Sequence, residues 1–274
     1  MPELPEVEVL RRSLAPLICN DTLASLQVLE PRLREPVDSD RLRAQTVGRR
    51  ICGTRRRAKY LLLDLEDGYT LVFHLGMSGR LTLVPEEIPR VGHEHVSFSL
   101  ASGRRLRFVD TRRFGLVFSL RSREVESDRH FARLGIEPLS SKFDGEFLRL
   151  AASHRRGPIK SFLMNAEVVA GVGNIYACEA LYRAGVHPRR SVARISRARW
   201  KRLARCVKET LQDAIDQGGT TLNDFADAEG RAGYFKVRLE VYDRAGEACT
   251  RCGKRIARIV QGGRGTYYCP GCQR

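Results

Sequence analysis

Apolar positions recur at two different periods along this chain. Val7, Leu10, Leu14 and Leu17 fall at helical spacing with Arg11 and Arg12 opposite, which predicts a first helix from near Pro5 to about Pro16. The pattern then breaks into short apolar runs separated by turn residues, and these predict strands at 23–29, 46–57, 60–65, 70–74, 95–100, 106–109 and 116–120. Strands at such regular spacing read as a sandwich or barrel rather than as βαβ units. After about Arg133 the helical period returns, first in Phe147, Leu148 and Ala151, then in Ile159, Phe162 and Leu163. Ala170-Gly171-Val172-Gly173-Asn174 interrupts it, with Asn174 the expected N-cap of a helix through Leu181. The clearest helix has Ser196 as its cap, Trp200, Leu203, Ala204, Val207, Leu211 and Ile215 on one face, and Gly218-Gly219 at its end. Residues 218–235 read as a Gly/Thr/Asp-rich loop, long enough to suggest a function of its own.

Length and charge narrow the choice. A chain of 274 residues supports one large or two modest domains with real cores. Its 48 Lys and Arg against 32 Asp and Glu leave a formal charge of +16, and the pI is about 10.0. That excess calls for a polyanionic partner, nucleic acid before an anionic membrane surface. No apolar run approaches the ~20 residues that span a bilayer, and the acidic start is unlike a signal or transit peptide. Four of the eight cysteines are scattered (Cys19, Cys52, Cys178, Cys206) and four are clustered at the end. This distribution reads as a reduced, cytoplasmic protein with one metal site.

Several stretches carry candidate chemistry. Cys249-x2-Cys252, sixteen residues, then Cys269-x2-Cys272 matches four-thiolate tetrahedral zinc. Four protein ligands leave no open position, so the metal is expected to be structural. Lys254, Arg255, Arg258 and Arg264 lie between the ligands with no acid, and Gly262-Gly263-Arg264-Gly265 reads as a hairpin tip offering Arg264 to phosphate. A zinc-clipped tail for protein contact is the competing reading. Gly171-Val172-Gly173-Asn174, with Lys160 and Arg155-Arg156 nearby, can hold a phosphate on backbone N–H groups or be a plain inter-helix turn. Thr111-Arg112-Arg113-Phe114-Gly115 pairs a guanidinium with an aromatic beside the loop 74–79. That pair can wedge into a duplex and fill the space of an extruded base, or Phe114 can be core. The arginines from Arg49-Arg50 to Arg55-Arg56-Arg57 are ordinarily a solvated face, and on a chain this basic they can also line a groove.

The opening stretch, Met1-Pro2-Glu3-Leu4-Pro5-Glu6-Val7-Glu8, is at its simplest a well-capped helix start. Removal of Met1 would expose Pro2 as a secondary amine. An α-amino group has a reference pKa of ~8, below any lysine. Beside Glu3 such an amine is equipped for imine chemistry.

Together these motifs resemble bacterial formamidopyrimidine-DNA glycosylases. The resemblance is carried by residues 2–8, Lys59-Tyr60-Leu61-Leu62, His74-Leu75-Gly76-Met77-Ser78-Gly79, Arg112-Arg113-Phe114-Gly115, Gly171-Val172-Gly173-Asn174-Ile175-Tyr176 and the four-cysteine ribbon. They occur in the family's order over almost the whole chain.

The resemblance implies an α+β fold, with an N-terminal β-sandwich bearing an N-terminal helix at 1–134. A helix–two-turn–helix DNA-binding domain at 135–235 and a zinc-ribbon β-hairpin at 236–274 would follow. It implies a repair enzyme that takes oxidised purines from damaged double-stranded DNA and then cuts the abasic strand, with one structural Zn2+, and nothing in the sequence suggests more than a monomer. It makes Pro2 the nucleophile and Glu3 its proton donor. Lys59 and Arg264 would serve the β- and δ-eliminations. His93, Arg112 and Arg155 would contact DNA, Lys160 and Asn174 would hold phosphate, and Met77, Arg112 and Phe114 would fill the void. Thr111 stands where the family usually has Pro, and position 155 is often Lys. A sister enzyme for oxidised pyrimidines and a non-catalytic zinc-ribbon DNA-binding protein are the alternatives.

Overall fold

The computed structural model describes residues 2–219 and 239–274. The chain divides into two compact units, Met1–Ala132 with Gln217–Lys236, and Arg133–Asp216 with Val237–Arg274. The expected loop at 218–235 lies outside the described residues from position 220 onward.

The first unit opens on helix α1, Leu4–Ile18, which runs two residues beyond the predicted end and carries Pro16 in its last turn. Leu4, Val7, Leu10, Leu14 and Ile18 are buried, and each such side chain contributes about 1.5–3 kcal/mol by leaving water. Two four-stranded antiparallel sheets follow. One has the order β1 (Leu23–Val28), β6 (Glu94–Leu100), β7 (Arg104–Val109), β5 (Arg80–Pro85). The other has the order β2 (Ile51–Arg57), β3 (Tyr60–Leu65), β4 (Tyr69–His74), β8 (Leu116–Arg121). Their inner faces share one core with α1. Phe73 of the second sheet meets Phe98 and Phe108 of the first at ring separations of 6.2 and 6.3 Å. The unit is therefore a β-sandwich bearing an N-terminal helix.

Two elements depart from the sequence expectation. The run 46–57 is not one strand, because Thr46 closes helix α2 (Ser39–Thr46) and the chain turns at Gly48, φ 81°, before β2 begins at Ile51. Asp38 caps α2 by accepting from the Arg41 N–H at 3.0 Å. Strand β5 also went unpredicted, although Leu81 and Leu83 are core residues.

The second unit is helical, with α3 (Gly145–Ala151), α4 (Ile159–Leu163), α5 (Asn174–Ala184) and α6 (Arg197–Asp216). Ser196 caps α6 as expected, its hydroxyl accepting from Arg199 N–H at 3.4 Å. All six apolar positions of the predicted face are buried. The unit ends in a two-stranded hairpin, β9 (Ala257–Gln261) and β10 (Arg264–Tyr268). Among the described residues no helix is long and apolar enough to cross a membrane.

Candidate nucleic-acid site and zinc ribbon

At the start of the chain, Glu3 is the N-cap of α1 and forms a capping box with Glu6. The Glu3 N–H donates to the Glu6 carboxylate at 2.8 Å, and Pro2, Glu3 and Glu6 are all buried. The bland reading of this stretch is thus correct as structure: the helix start is well capped. The capping also fixes the backbone of the two residues in which the chemistry was expected.

One turn along, Glu8 gathers Arg11 at 2.7 Å, Arg12 at 2.9 Å and Arg56 at 3.3 Å. Burial works to raise its pKa, but the hydrogen bonds and charges of these arginines outweigh it, and the carboxyl titrates below its ordinary value. Arg56 also donates to the Ala58 carbonyl at 2.9 Å. Ala58 and Lys59 form the two-residue connection between β2 and β3, and Ala58 adopts φ 51°, a conformation uncommon outside glycine. Lys59 is therefore tied to α1 through Arg56 and Glu8.

Lys59 bears on His74. Burial, helped by the charges of Lys59 and Arg34, pulls the imidazole down to about 3. The ring is neutral at physiological pH, and its Nδ1 accepts the Gly76 N–H at 3.0 Å. That bond shapes the loop carrying Met77. The Tyr60 ring lies tilted against His74, with centroids 4.7 Å apart.

The turn at 110–115 is organised by Asp110, which is fully buried. Its carboxylate accepts from Ser78 Oγ at 2.6 Å, Arg112 N–H at 3.3 Å and Gly115 N–H at 2.8 Å. Its carbonyl oxygen lies 2.7 Å from His95 Nε2, and its N–H donates to the His93 carbonyl at 3.0 Å. Packing here leaves no room for a side chain at Gly76, where a Cβ would lie 2.4 Å from the Phe114 carbonyl carbon. Met77, Arg112 and Phe114 are thereby brought into adjacent loops. Phe114 is 44% exposed and Met77 37%, and the Arg112 guanidinium sits 5.0 Å from the Phe114 ring centre. Phe114 is not core. His93 is exposed on the neighbouring loop with φ 64°.

In the second unit Asn174 does something other than the sequence suggested. The N-cap of α5 is Gly173, not Asn174, which is the first residue of the helix. The Asn174 amide instead accepts from Lys160 Nζ at 2.5 Å and donates to the Gly265 carbonyl at 2.9 Å. Lys160, buried to 1% exposure, also donates to Thr266 Oγ1 at 2.7 Å. An amide aimed across to the hairpin is no longer available to its own helix end. These bonds join the starts of α4 and α5 to the hairpin and set the position of Arg264. Gly262 and Gly263, both at positive φ, form the two-residue tip, and Arg264 is the exposed first residue of β10. Arg155 stands apart, exposed, with its guanidinium 5.8 Å from the Phe162 ring.

The four ribbon thiols converge, with all Sγ atoms within 4.8 Å of one another. Cys249 and Cys272 are 3.8 Å apart, and Cys252 and Cys269 are 3.4 Å apart. A zinc tetrahedron with ~2.3 Å bonds requires sulfurs about 3.8 Å apart, so the donor set fits one zinc ion with no position left for substrate. The Tyr182 hydroxyl lies 3.2 Å from Cys249 Sγ, and the Glu179 carboxylate accepts three successive backbone N–H groups, 240 to 242, at 2.8–3.0 Å. Both side chains belong to α5 and anchor the ribbon to it. Sequence reasoning missed Asp110, Thr266, Tyr182 and Glu179, since one polar residue among many carries no spacing signal.

The first arginine run resolves differently from the groove reading. Arg49 faces Asp67 at 3.4 Å, Arg50 faces Glu66 at 2.6 Å and Arg55 faces Asp64 at 2.9 Å, in addition to Arg56 with Glu8. The run is largely neutralised on its own sheet.

The architecture is a β-sandwich with a capped helix at its start, a helical unit and a four-thiolate ribbon. Three family models match in succession: the formamidopyrimidine-DNA glycosylase N-terminal domain over residues 1–117, its H2TH domain over 134–226, and the zinc finger found in FPG and IleRS over 246–274. The formamidopyrimidine-DNA glycosylase of Syntrophotalea carbinolica is 48% identical over 274 residues, covering the whole of both chains. The Lactococcus lactis Fpg in complex with abasic-site DNA aligns over the whole of both chains, with TM-score 0.92 and 32% identity. The Thermus thermophilus MutM (FPG) protein aligns over 99% of this chain and 98% of its own, with TM-score 0.89 and 38% identity. The chain belongs to the formamidopyrimidine-DNA glycosylase family, whose members are glycosylases with abasic-site lyase activity.

Proposed function

We propose that this protein excises oxidised purines, 8-oxoguanine and ring-opened formamidopyrimidines, from duplex DNA and then cleaves the abasic strand by β,δ-elimination. The reading rests above all on Pro2 and Glu3, both buried at the head of α1, with Glu3 held in a capping box with Glu6. After Met1 is removed, the Pro2 nitrogen attacks the anomeric carbon of the damaged nucleotide, and the bond to the base breaks. Glu3 protonates the ring oxygen, the sugar opens, and the secondary amine is left as a cationic iminium. That cation is an electron sink. Loss of a C2′ proton expels the 3′ phosphate, with Lys59 moving the proton, and a second elimination served by Arg264 expels the 5′ phosphate.

To reach the anomeric carbon the nucleotide must leave the stack, at a cost of a few kcal/mol. Met77, Arg112 and Phe114 are two exposed apolar groups and a stacked guanidinium, suited to the vacated space. Lys160 and Asn174 fix the phosphate-holding loop, and His93 and Arg155 add contacts to the strand. The neutral, half-buried His74 keeps the Met77 loop shaped without adding charge.

Borohydride trapping on an 8-oxoguanine duplex tests this directly. The Met1-processed protein gives a covalent adduct, and Pro2→Gly gives none. An adduct surviving Pro2→Gly, through a lysine, would refute the nucleophile. Faster cleavage of a thymine glycol duplex than of 8-oxoguanine would instead assign the protein to oxidised pyrimidines.

A further inference from the structure

The second unit carries a cationic cleft that none of the chemistry above uses. It has a volume of about 460 Å³ and is lined by His187, Arg189, Arg190, Ser191, Arg194 and Arg274. Arg189, Arg194 and Arg274 are exposed. Arg190 is spent on main-chain oxygens, donating to the terminal carboxyl oxygen of Arg274 at 3.1 Å and the Arg194 carbonyl at 3.5 Å. Among the described residues no acidic side chain pairs with any of the four, unlike the arginines of β2. The local potential is positive enough to act on His187, whose pKa is lowered by burial and then by Arg189 and Arg190.

This cleft adjoins the phosphate-holding motif. The Arg190 carbonyl accepts from Ile159 N–H at 2.8 Å, and the Pro188 carbonyl accepts from Lys160 N–H at 3.3 Å and from Gln261 Nε2 at 3.4 Å. Residues 188–190 therefore lie directly against the start of α4 and the β9 strand. On the other side Ser191 Oγ donates to the Arg156 carbonyl at 2.8 Å, which continues the strip to Arg155 and Arg156. Three exposed guanidiniums with no acidic side chain paired to them among the described residues, fixed to a phosphate-binding element by backbone bonds, suit a second run of phosphodiesters.

We propose that the cleft of Arg189, Arg190, Arg194 and Arg274 seats the phosphate backbone of duplex DNA outside the lesion, extending the footprint of the second unit. The proposal rests on the reading that the chain binds damaged duplex, but not on its catalytic chemistry. It is tested by binding to an abasic-analogue duplex in two lengths, one just covering the lesion and one longer by a helical turn of about 10 base pairs on each side. Wild-type protein should show a steeper fall of log affinity with log salt on the longer duplex, by ~0.9 per added phosphate contact.

Arg189→Ser with Arg194→Ser should abolish that difference. It should weaken the longer duplex about five- to tenfold and leave the short one, zinc content and melting temperature unchanged. Arg189→Lys with Arg194→Lys should keep the longer-duplex slope, because the charge is retained, and a loss matching that of the serine pair would overturn the proposal. So would equal losses on both lengths, no loss on either, or a loss confined to binding of inorganic phosphate. Failure of the wild type to process a lesion in the short duplex would sink the catalytic reading alone.

Discussion

The wedge turn at 110–115 and the hairpin tip at 261–264 each present an exposed arginine, and they are held by opposite means. The wedge turn hangs on a single buried carboxylate. Asp110 gathers two loops through Ser78, Arg112 and Gly115, and its main chain reaches His93 and His95. The hairpin tip needs no side chain of its own, because two glycines make the turn and the base is clipped by four thiols and joined to Lys160 and Asn174. A carboxylate network can lose one bond at a time, whereas a metal-clipped ribbon is expected to be present or absent as a whole.

The sharpest way to break this contrast is Cys269→Ser. It should lose zinc and DNA binding together, as measured by metal analysis and gel shift. Full binding by a zinc-free protein would show that the ribbon does not depend on its metal. Next is Asp110→Asn, nearly isosteric but unable to accept with both oxygens. It should cost about 1.5–3 kcal/mol, the range for hydrogen bonds to a charged group. It should also slow base release while zinc content stays at wild type; an unchanged thermal transition would mean that Asp110 does not hold the turn. The smallest structural effect belongs to Arg264→Ala, an exposed change worth less than about 0.5 kcal/mol of stability. Zinc should remain, while DNA binding weakens and cleavage products shift toward the first elimination. An unaltered product distribution would remove Arg264 from the chemistry.

Legibility followed the range of the interaction. The strand at 60–65 and the α6 face were readable because periodicity is local and the buried residues are its direct cause. Helix α2 was not, since only Leu42 and Thr46 are buried and Asp40, Arg41 and Arg43 leave too little apolar pattern. Strand β5 is as long as β3 and β4 but ends at Pro85 and adds only two leucines to the core cluster, which made too weak a pattern. Asn174 was legible as important but misread in role. Its type and place suit a cap, and only the approach of the hairpin gives it better partners. The arginine run at 49–57 carried no local sign of whether it would be paired. Asp64, Glu66 and Asp67 come from the neighbouring strand and its turn, so pairing across a sheet decided that it was largely neutralised.

What the sequence determined by itself was whatever covalent spacing controls: the zinc ligands, the helix start at Pro2-Glu3, and the two-glycine hairpin tip. Tertiary structure decided which groups at long sequence separation became partners, as Asp110 did with Ser78 and Lys160 with Thr266. The reason is that a hydrogen bond or ion pair is chosen by proximity in space. In a chain where 80 residues are charged, 48 basic and 32 acidic, many partners are chemically acceptable, and packing of the apolar faces selects among them.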